Sequence, residues 1–184
     1  MKTLIKQYPN DAELGAAVRE IYSRDKLRLL ITKDCNRSCK GCCNKDWDLD
    51  KLPICTDFRG YSEVILTGGE PMLYPDKIIN LCKEIRKQNN TCKIYLYTAD
   101  IKKFYDWYID NIVDGVTVTL HEQRDVVAFK EYSGLYSHLN LRLNVFKGIK
   151  LPEYTGEWIV QRDIVWIKDC PLPKGEVFMR VEDI

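Results

Sequence analysis

The sequence predicts an α/β fold: a single-domain, partial (β/α)6 TIM-like barrel of parallel strands with an extra N-terminal helix. Three observations carry that prediction. Short apolar runs of strand length alternate with longer stretches of helical periodicity. Two loops of unusual composition each begin where such a run ends. The 184 residues, 45% of them hydrophobic, suit one well-buried core better than two. Residues 1–24 then form an N-terminal extension with its helix, and residues 25–184 form the core domain.

Taken in order, Asp11 to Tyr22 sets Leu14, Ala17, Val18 and Ile21 on one helical face, which predicts the leading helix. Leu27 to Thr32 is apolar apart from Arg28 and too short for a typical helix, so it reads as the first strand. Glu63 to Thr67 is the second, halted by Gly68-Gly69-Glu70-Pro71, where two glycines imply backbone angles closed to other residues. After Pro75, the apolar positions Ile78, Ile79, Leu81, Cys82 and Ile85 give an amphipathic helix of about a dozen residues that closes near Asn89-Asn90.

The alternation continues with Lys93 to Thr98 as a strand, Ile101 to Ile112 as a helix, Gly115 to Leu120 as a strand and Gln123 to Tyr132 as a helix. Leu139 to Phe146 alternates in strand fashion, and Trp158 to Val160 with Ile164 to Ile167 offer one or two more strands. Such units imply right-handed crossovers and a parallel sheet, either open and doubly wound or curved into a partial barrel. Five or six units favour the partial barrel. In both, the working loops lie at the C-terminal ends of the strands, so the two marked loops share one rim.

A formal net charge of +1 gives no electrostatic reason for a nucleic acid or an anionic membrane as partner. No apolar run approaches the roughly 20 residues that span a bilayer. The first residues lack the apolar core of an export signal, and a cytoplasmic location is expected. Eight cysteines without such a signal are expected to be reduced thiols rather than a disulfide scaffold.

Cys35, Cys39 and Cys42 lie in one short loop at the end of the first strand, so their sulfurs converge on a common centre. Three thiolates hold three irons of a 4Fe-4S cube and leave the fourth iron without a protein ligand. Zinc is the alternative. Closed zinc sites usually combine two ligand pairs from separate turns, however, and no second Cys or His pair of suitable spacing follows. These three cysteines are the candidate metal ligands and the candidate catalytic centre.

The order Cys35-x3-Cys39-x2-Cys42, then Thr67-Gly68-Gly69-Glu70-Pro71, each after its strand, resembles the radical S-adenosylmethionine (radical SAM) enzymes. The resemblance implies that the open iron is chelated by the amino and carboxylate groups of S-adenosylmethionine. It further implies that one electron from the reduced cluster cleaves the sulfonium to methionine and a 5'-deoxyadenosyl radical, which abstracts hydrogen from a substrate. Cofactor contacts are implied for Gly68, Gly69, Glu70 and Pro71, with Glu70 or a neighbouring carbonyl on the ammonium group. Thr98 at the end of the third strand is implied as a further contact. Arg142 or Asn144, two apart on one strand face, is implied toward the methionyl carboxylate. Thr119, His121 and Glu122 end the fourth strand at the same rim. A low-potential electron donor such as flavodoxin or ferredoxin is implied as a partner.

One departure is Gly41, where an aromatic residue is usual and packs near adenine. The stretch from Cys39 to Trp47, with Asn44, is similar to that of the anaerobic ribonucleotide reductase activases, with Lys40 in place of proline. Those small enzymes install a glycyl radical on a partner protein. Compact small-molecule synthases such as 7-carboxy-7-deazaguanine synthase share the short core and Gly-Gly-Glu-Pro. A non-catalytic zinc or iron-sulfur module stands beside both.

Other marked residues have plainer readings. Cys43 is a bystander, Cys82 and Cys92 are buried small hydrophobes, and Cys55 and Cys170 lack the companions of a second cluster. His121 is a structural hydrogen-bonding group and His138 is solvated. Phe104, Tyr105, Trp107 and Tyr108 are expected to pack a helix on the sheet.

Overall fold

Alternation along the strands divides one sheet into two unlike faces. The computed structural model describes residues 26–183 apart from 137 and 154. The helix expected at 11–22, and the extension it belongs to, lie outside the described residues. The strands are β1 (Lys26–Leu30), β2 (Glu63–Thr67), β3 (Lys93–Thr98), β4 (Gly115–Leu120), β5 (Asn140–Phe146), β6 (Ile159–Ile164) and β7 (Glu176–Arg180). Every neighbouring pair is parallel, in the order β6-β5-β4-β3-β2-β1-β7. The helices α1 (Pro75–Gln88), α2 (Ile101–Asp106) and α3 (Asp125–Tyr132) follow β2, β3 and β4.

Leu29, Leu66, Leu96, Val118 and Leu143 lie on one face and share a buried cluster with Ile78 and Ile85 of α1, Phe104 of α2 and Phe129 of α3. Burying side chains of this size contributes about 1.5–3 kcal/mol each, which is what holds helices to sheet. The other face is polar. Arg28 lies over the ring of Tyr97 at 5.3 Å and reaches Glu176 at 2.8 Å, while Arg142 lies over Tyr95 at 5.2 Å. A doubly wound sheet would cover both faces with helices and present near-continuous apolar strands. One helical face and one polar face are compatible with a partial α/β barrel.

The α/β class and parallel sheet match expectation, and the differences have local causes. β7 is a seventh strand that no periodicity announces, and it pairs with β1 at the far edge from β6. The expected helix from Ile101 to Ile112 breaks after Asp106, because Tyr108 takes a left-handed φ of 52° before a 3-10 turn at Ile109–Asn111. Consequently only Phe104 of the aromatic group is buried, and Tyr105, Trp107 and Tyr108 are exposed. The last predicted runs merge into β6, which leaves Trp166 beyond the strand. Cys82 and Cys92 are buried free thiols as expected, and Cys55 is buried and free as well; burial pushes Cys82 up to about 12 and Cys92 to about 11. Among the described residues no helix is long and apolar enough to cross a membrane.

Candidate iron-sulfur site

Parallel pairing brings the two marked loops side by side. The β1–β2 ladder runs on past the strand ends: Ile31 N–H donates to the Thr67 carbonyl at 2.9 Å. Gly69 N–H then donates to Thr32 at 2.9 Å, and Glu70 N–H to Asp34 at 2.8 Å. The Tyr74 hydroxyl also donates to the Asp34 carboxylate. The cysteine loop therefore leaves β1 already fastened to the Gly-Gly-Glu-Pro loop.

Space is what demands the two glycines. A Cβ on Gly68 would stand 2.6 Å from the Thr32 carbonyl oxygen, and one on Gly69 would stand 2.5 Å from the Asp34 carbonyl carbon and closer still to its oxygen. Neither has a positive φ, so the backbone angles expected from the sequence are not the reason. Asn44, in the 3-10 turn Cys43–Lys45, adds a side-chain bond from Nδ2 to the Gly68 carbonyl at 3.0 Å.

Cys35, Cys39 and Cys42 are free thiols lining one cavity of about 120 Å³ with Gly68, Gly69 and Thr98. Burial pushes the Cys35 thiol up, and Arg37 works against it. Burial likewise raises Cys39, with the neighbouring sulfurs of Cys42 and Cys35 adding to the effect. Thiols held in the protonated form in this way, at Cys35 and Cys39, belong to a donor set completed by a cationic centre, whose binding drives off their protons. Among the described residues no three His, Cys, Asp or Glu side chains close as tightly as a single metal ion requires. A cube presents its irons at separate corners and takes thiolates spread around one pocket, so these residues fit a 4Fe-4S group. Wider clefts of about 500 and 610 Å³ lie beside Lys93 and Asn140 and along β7, and they gather no such donors.

One expectation is overturned here. Cys43 and Cys170 form a disulfide, Cα to Cα 5.4 Å, across 127 residues of chain. The two cysteines are therefore not reduced thiols. Bonding to Cys170 also removes Cys43 from the possible cluster ligands.

Glu70 lines the cavity yet is only 2% exposed, and its carboxylate is occupied by its own chain. Thr98 Oγ1 donates at 2.6 Å, Met72 N–H at 3.0 Å and Ala99 N–H at 2.8 Å. Burial raises its pKa, and the three donors hold that rise in check. Glu70 thus staples the β2 loop to the end of β3. Pro71 is buried at the first position of the 3-10 turn Pro71–Leu73 and does not line the cavity. Asn144 pairs in register with Thr119 near the rim, and Arg142 lies one inward position lower, level with Thr117. Neither is among the residues lining the cavity. The Arg142 Nε donates to Asn140 Oδ1 at 3.2 Å.

Two groups at the site were not singled out from the sequence. Arg37, inside the cysteine loop, donates two bonds of 2.9 Å to Asp125 at the start of α3 and one of 3.1 Å to the Ala99 carbonyl. Asp125 also accepts the N–H groups of His121 and Glu122 at 2.8 and 3.0 Å. Burial works to raise the Asp125 pKa, but Arg37 and those N–H groups hold it below the usual carboxylate range. An arginine between two clustered cysteines was the available signal; its partner 88 residues away had none.

The second group is Trp166, whose ring packs on Gly41, a glycine at φ +66°, where a Cβ would meet the indole at 2.9 Å. It stacks on His121 with ring centres 5.5 Å apart and packs at a tilt on Phe146 at 4.5 Å. Burial first, and the Arg37 charge second, depress the His121 pKa, so its ring is neutral at pH 7. His121 Nδ1 is buried without a partner among the described residues.

Residues 26–125, more than half of the chain, match the family described as a 4Fe-4S single cluster domain. The match takes in the three thiols, the Gly-Gly-Glu-Pro loop and the Arg37–Asp125 pair. No curated protein matches the chain.

Proposed function

The chain belongs to the 4Fe-4S single cluster domain family, and from that premise we propose that it is a radical SAM enzyme. The observation that carries this reading is the pairing of two loops at one rim. Three free thiols without a fourth face a Gly-Gly-Glu-Pro loop whose backbone is brought within van der Waals reach of theirs. A cluster held only for electron storage has no need of the second loop or of an iron left open.

Cys35, Cys39 and Cys42 hold the cluster, and Arg37 sets a fixed positive charge beside the thiolates. Bound there, the cluster supplies the electron that cleaves S-adenosylmethionine to methionine and a 5'-deoxyadenosyl radical. Gly68 and Gly69 let their loop lie against the cysteine loop, which sets its backbone at the cavity for the methionyl ammonium group. Glu70, with its oxygens spent on Thr98, Met72 and Ala99, positions that loop. Asn144, level with Thr119 at the rim, is the polar group proposed toward the methionyl carboxylate, whereas Arg142 below it is occupied by Asn140 and the Tyr95 ring. Trp166 and His121 wall the cavity on the side away from the Gly-Gly-Glu-Pro loop's fastening to Thr32 and Asp34.

For the target, we propose a backbone glycine of a partner protein, with flavodoxin or ferredoxin as electron donor. Asn44 and Trp47, the residues on which the similarity to activases rests, both have structural tasks at the site. Asn44 secures Gly68, and Trp47 Nε1 donates to the Cys170 carbonyl at 3.3 Å. The experiment is anaerobic reconstitution with iron and sulfide, then addition of S-adenosylmethionine and dithionite. 5'-Deoxyadenosine is expected, and none from Cys39→Ser. A protein with its cluster intact that forms none would overturn the radical SAM reading while leaving the family membership standing.

A further inference from the structure

We propose that Cys43–Cys170 is a thiol-disulfide exchange site, and that a dithiol reductant opening it releases the Trp166 wall from the cluster cavity. The inference needs the cavity and its three thiols, and it does not depend on S-adenosylmethionine. Between Ile164 and Glu176 the chain crosses the rim, with Val165 and Ile167 more than half exposed. Besides the bond from Lys26 N–H to the Gly175 carbonyl at its far end, three attachments among the described residues tie it to the cysteine loop and the rim. They are the disulfide, the bond from Trp47 Nε1 to the Cys170 carbonyl, and the seating of Trp166 on Gly41, His121 and Phe146. Only the first is covalent, and it joins this segment to the residue directly after the ligand Cys42.

Two features mark the closed arrangement as one the local chain does not prefer by itself. Cys170 takes a left-handed φ of 34°, which residues other than Gly, Asn and Asp seldom adopt, directly after Asp169 at φ 62°. His121 Nδ1 is buried without a partner beneath the indole. Both are relieved if the segment lifts. Closure also leaves a cavity of about 120 Å³, well below the 300 Å³ or more at which pockets for drug-sized ligands begin. A ligand of nucleoside size therefore needs the wall to move.

The pair is open to the chemistry. Cys43 and Cys170 are both partly exposed, so a thiolate from solvent has access to the pair. A thiolate of the dithiol attacks one sulfur of the pair and the other leaves as a thiolate. The second thiol of the reagent then resolves the mixed disulfide. Two electrons and two protons pass to Cys43 and Cys170, which end as thiols, and the dithiol ends as a disulfide.

The test uses the full chain prepared without reductant. After native-state incubation in dithiothreitol buffers of graded poise, the protein is unfolded in iodoacetamide and its peptides are weighed. Cys43 and Cys170 are expected to be unlabelled at first and to label together as the buffer becomes reducing. Hydrogen exchange over residues 165–172 is expected to rise by about tenfold or more on reduction, with β3 and β4 unchanged. Full labelling of both cysteines before reduction would overturn the proposal. So would a pair that opens only in denaturant, or exchange over 165–172 that is indifferent to reduction. None of these readouts requires the cluster, so they stand apart from the activity assay.

Discussion

Replacing Gly69 by alanine drives a methyl group into backbone. The new Cβ would lie 2.5 Å from the Asp34 carbonyl carbon and 2.7 Å from the Lys33 carbonyl oxygen, and none of these atoms is the end of a flexible side chain. Relief requires the cysteine loop to part from the Gly-Gly-Glu-Pro loop, which breaks the bonds from Gly69 N–H to Thr32 and from Glu70 N–H to Asp34. Two such bonds contribute about 1 kcal/mol each net, and the overpacking adds about 1–3 kcal/mol, for a total of about 3–5 kcal/mol. For a chain of this length that is a fall in melting temperature of about 6–20 °C. The assay is thermal and urea unfolding of the apoprotein beside Gly60→Ala, a glycine with nothing within 4 Å of its would-be Cβ. The control is expected to lie within about 0.5 kcal/mol of wild type. The displaced loop should also load less iron on reconstitution. If Gly69→Ala matches the control in both stability and iron content, the argument from close approach is refuted.

Arg37→Met should cost on the order of 3 kcal/mol, because it leaves the buried Asp125 carboxylate without its bidentate partner, as measured by the urea midpoint. The stability that Asp125 contributes is intact above the ordinary carboxylate range near pH 4 and is lost as pH falls through its lowered folded value. Asp125→Asn should therefore flatten the acid limb of the stability curve. His121, with its pKa depressed by burial, is protonated first in the unfolded chain, so stability should fall as pH drops below about 6.5. His121→Phe should remove that slope between pH 7.5 and 5.5. Thr98→Val leaves Glu70 Oε1 and the Asp100 N–H short of a partner, and should cost about 1–3 kcal/mol by the same measurement.

Much of the sheet was readable because its signals are local. β2, β3 and β4 fall where short apolar runs are bounded by Gly, Pro or Asn, and α1 ends at Asn89, whose N–H caps the Ile85 carbonyl at 2.8 Å. What escaped is what the tertiary fold decides. β7 is five residues without clear periodicity, and its partner β1 lies about 150 residues earlier in the chain. The Cys43–Cys170 link, the Arg37–Asp125 pair and the Trp166 wall likewise join positions that only the shared rim brings together. At the site itself, the thiols and the Gly-Gly-Glu-Pro loop were legible from composition and order. The need for Gly68 and Gly69 was legible too, but its cause was not, since the oxygen each would strike belongs to the neighbouring loop.

The central claim is that Cys35, Cys39 and Cys42 leave one iron of the cluster open to S-adenosylmethionine. Mössbauer spectroscopy of protein reconstituted with 57Fe, before and after addition of S-adenosylmethionine, tests it most directly. One iron in four should be distinguishable and should change its isomer shift when S-adenosylmethionine binds, while the other three hold theirs. Four equivalent irons indifferent to S-adenosylmethionine would contradict the account.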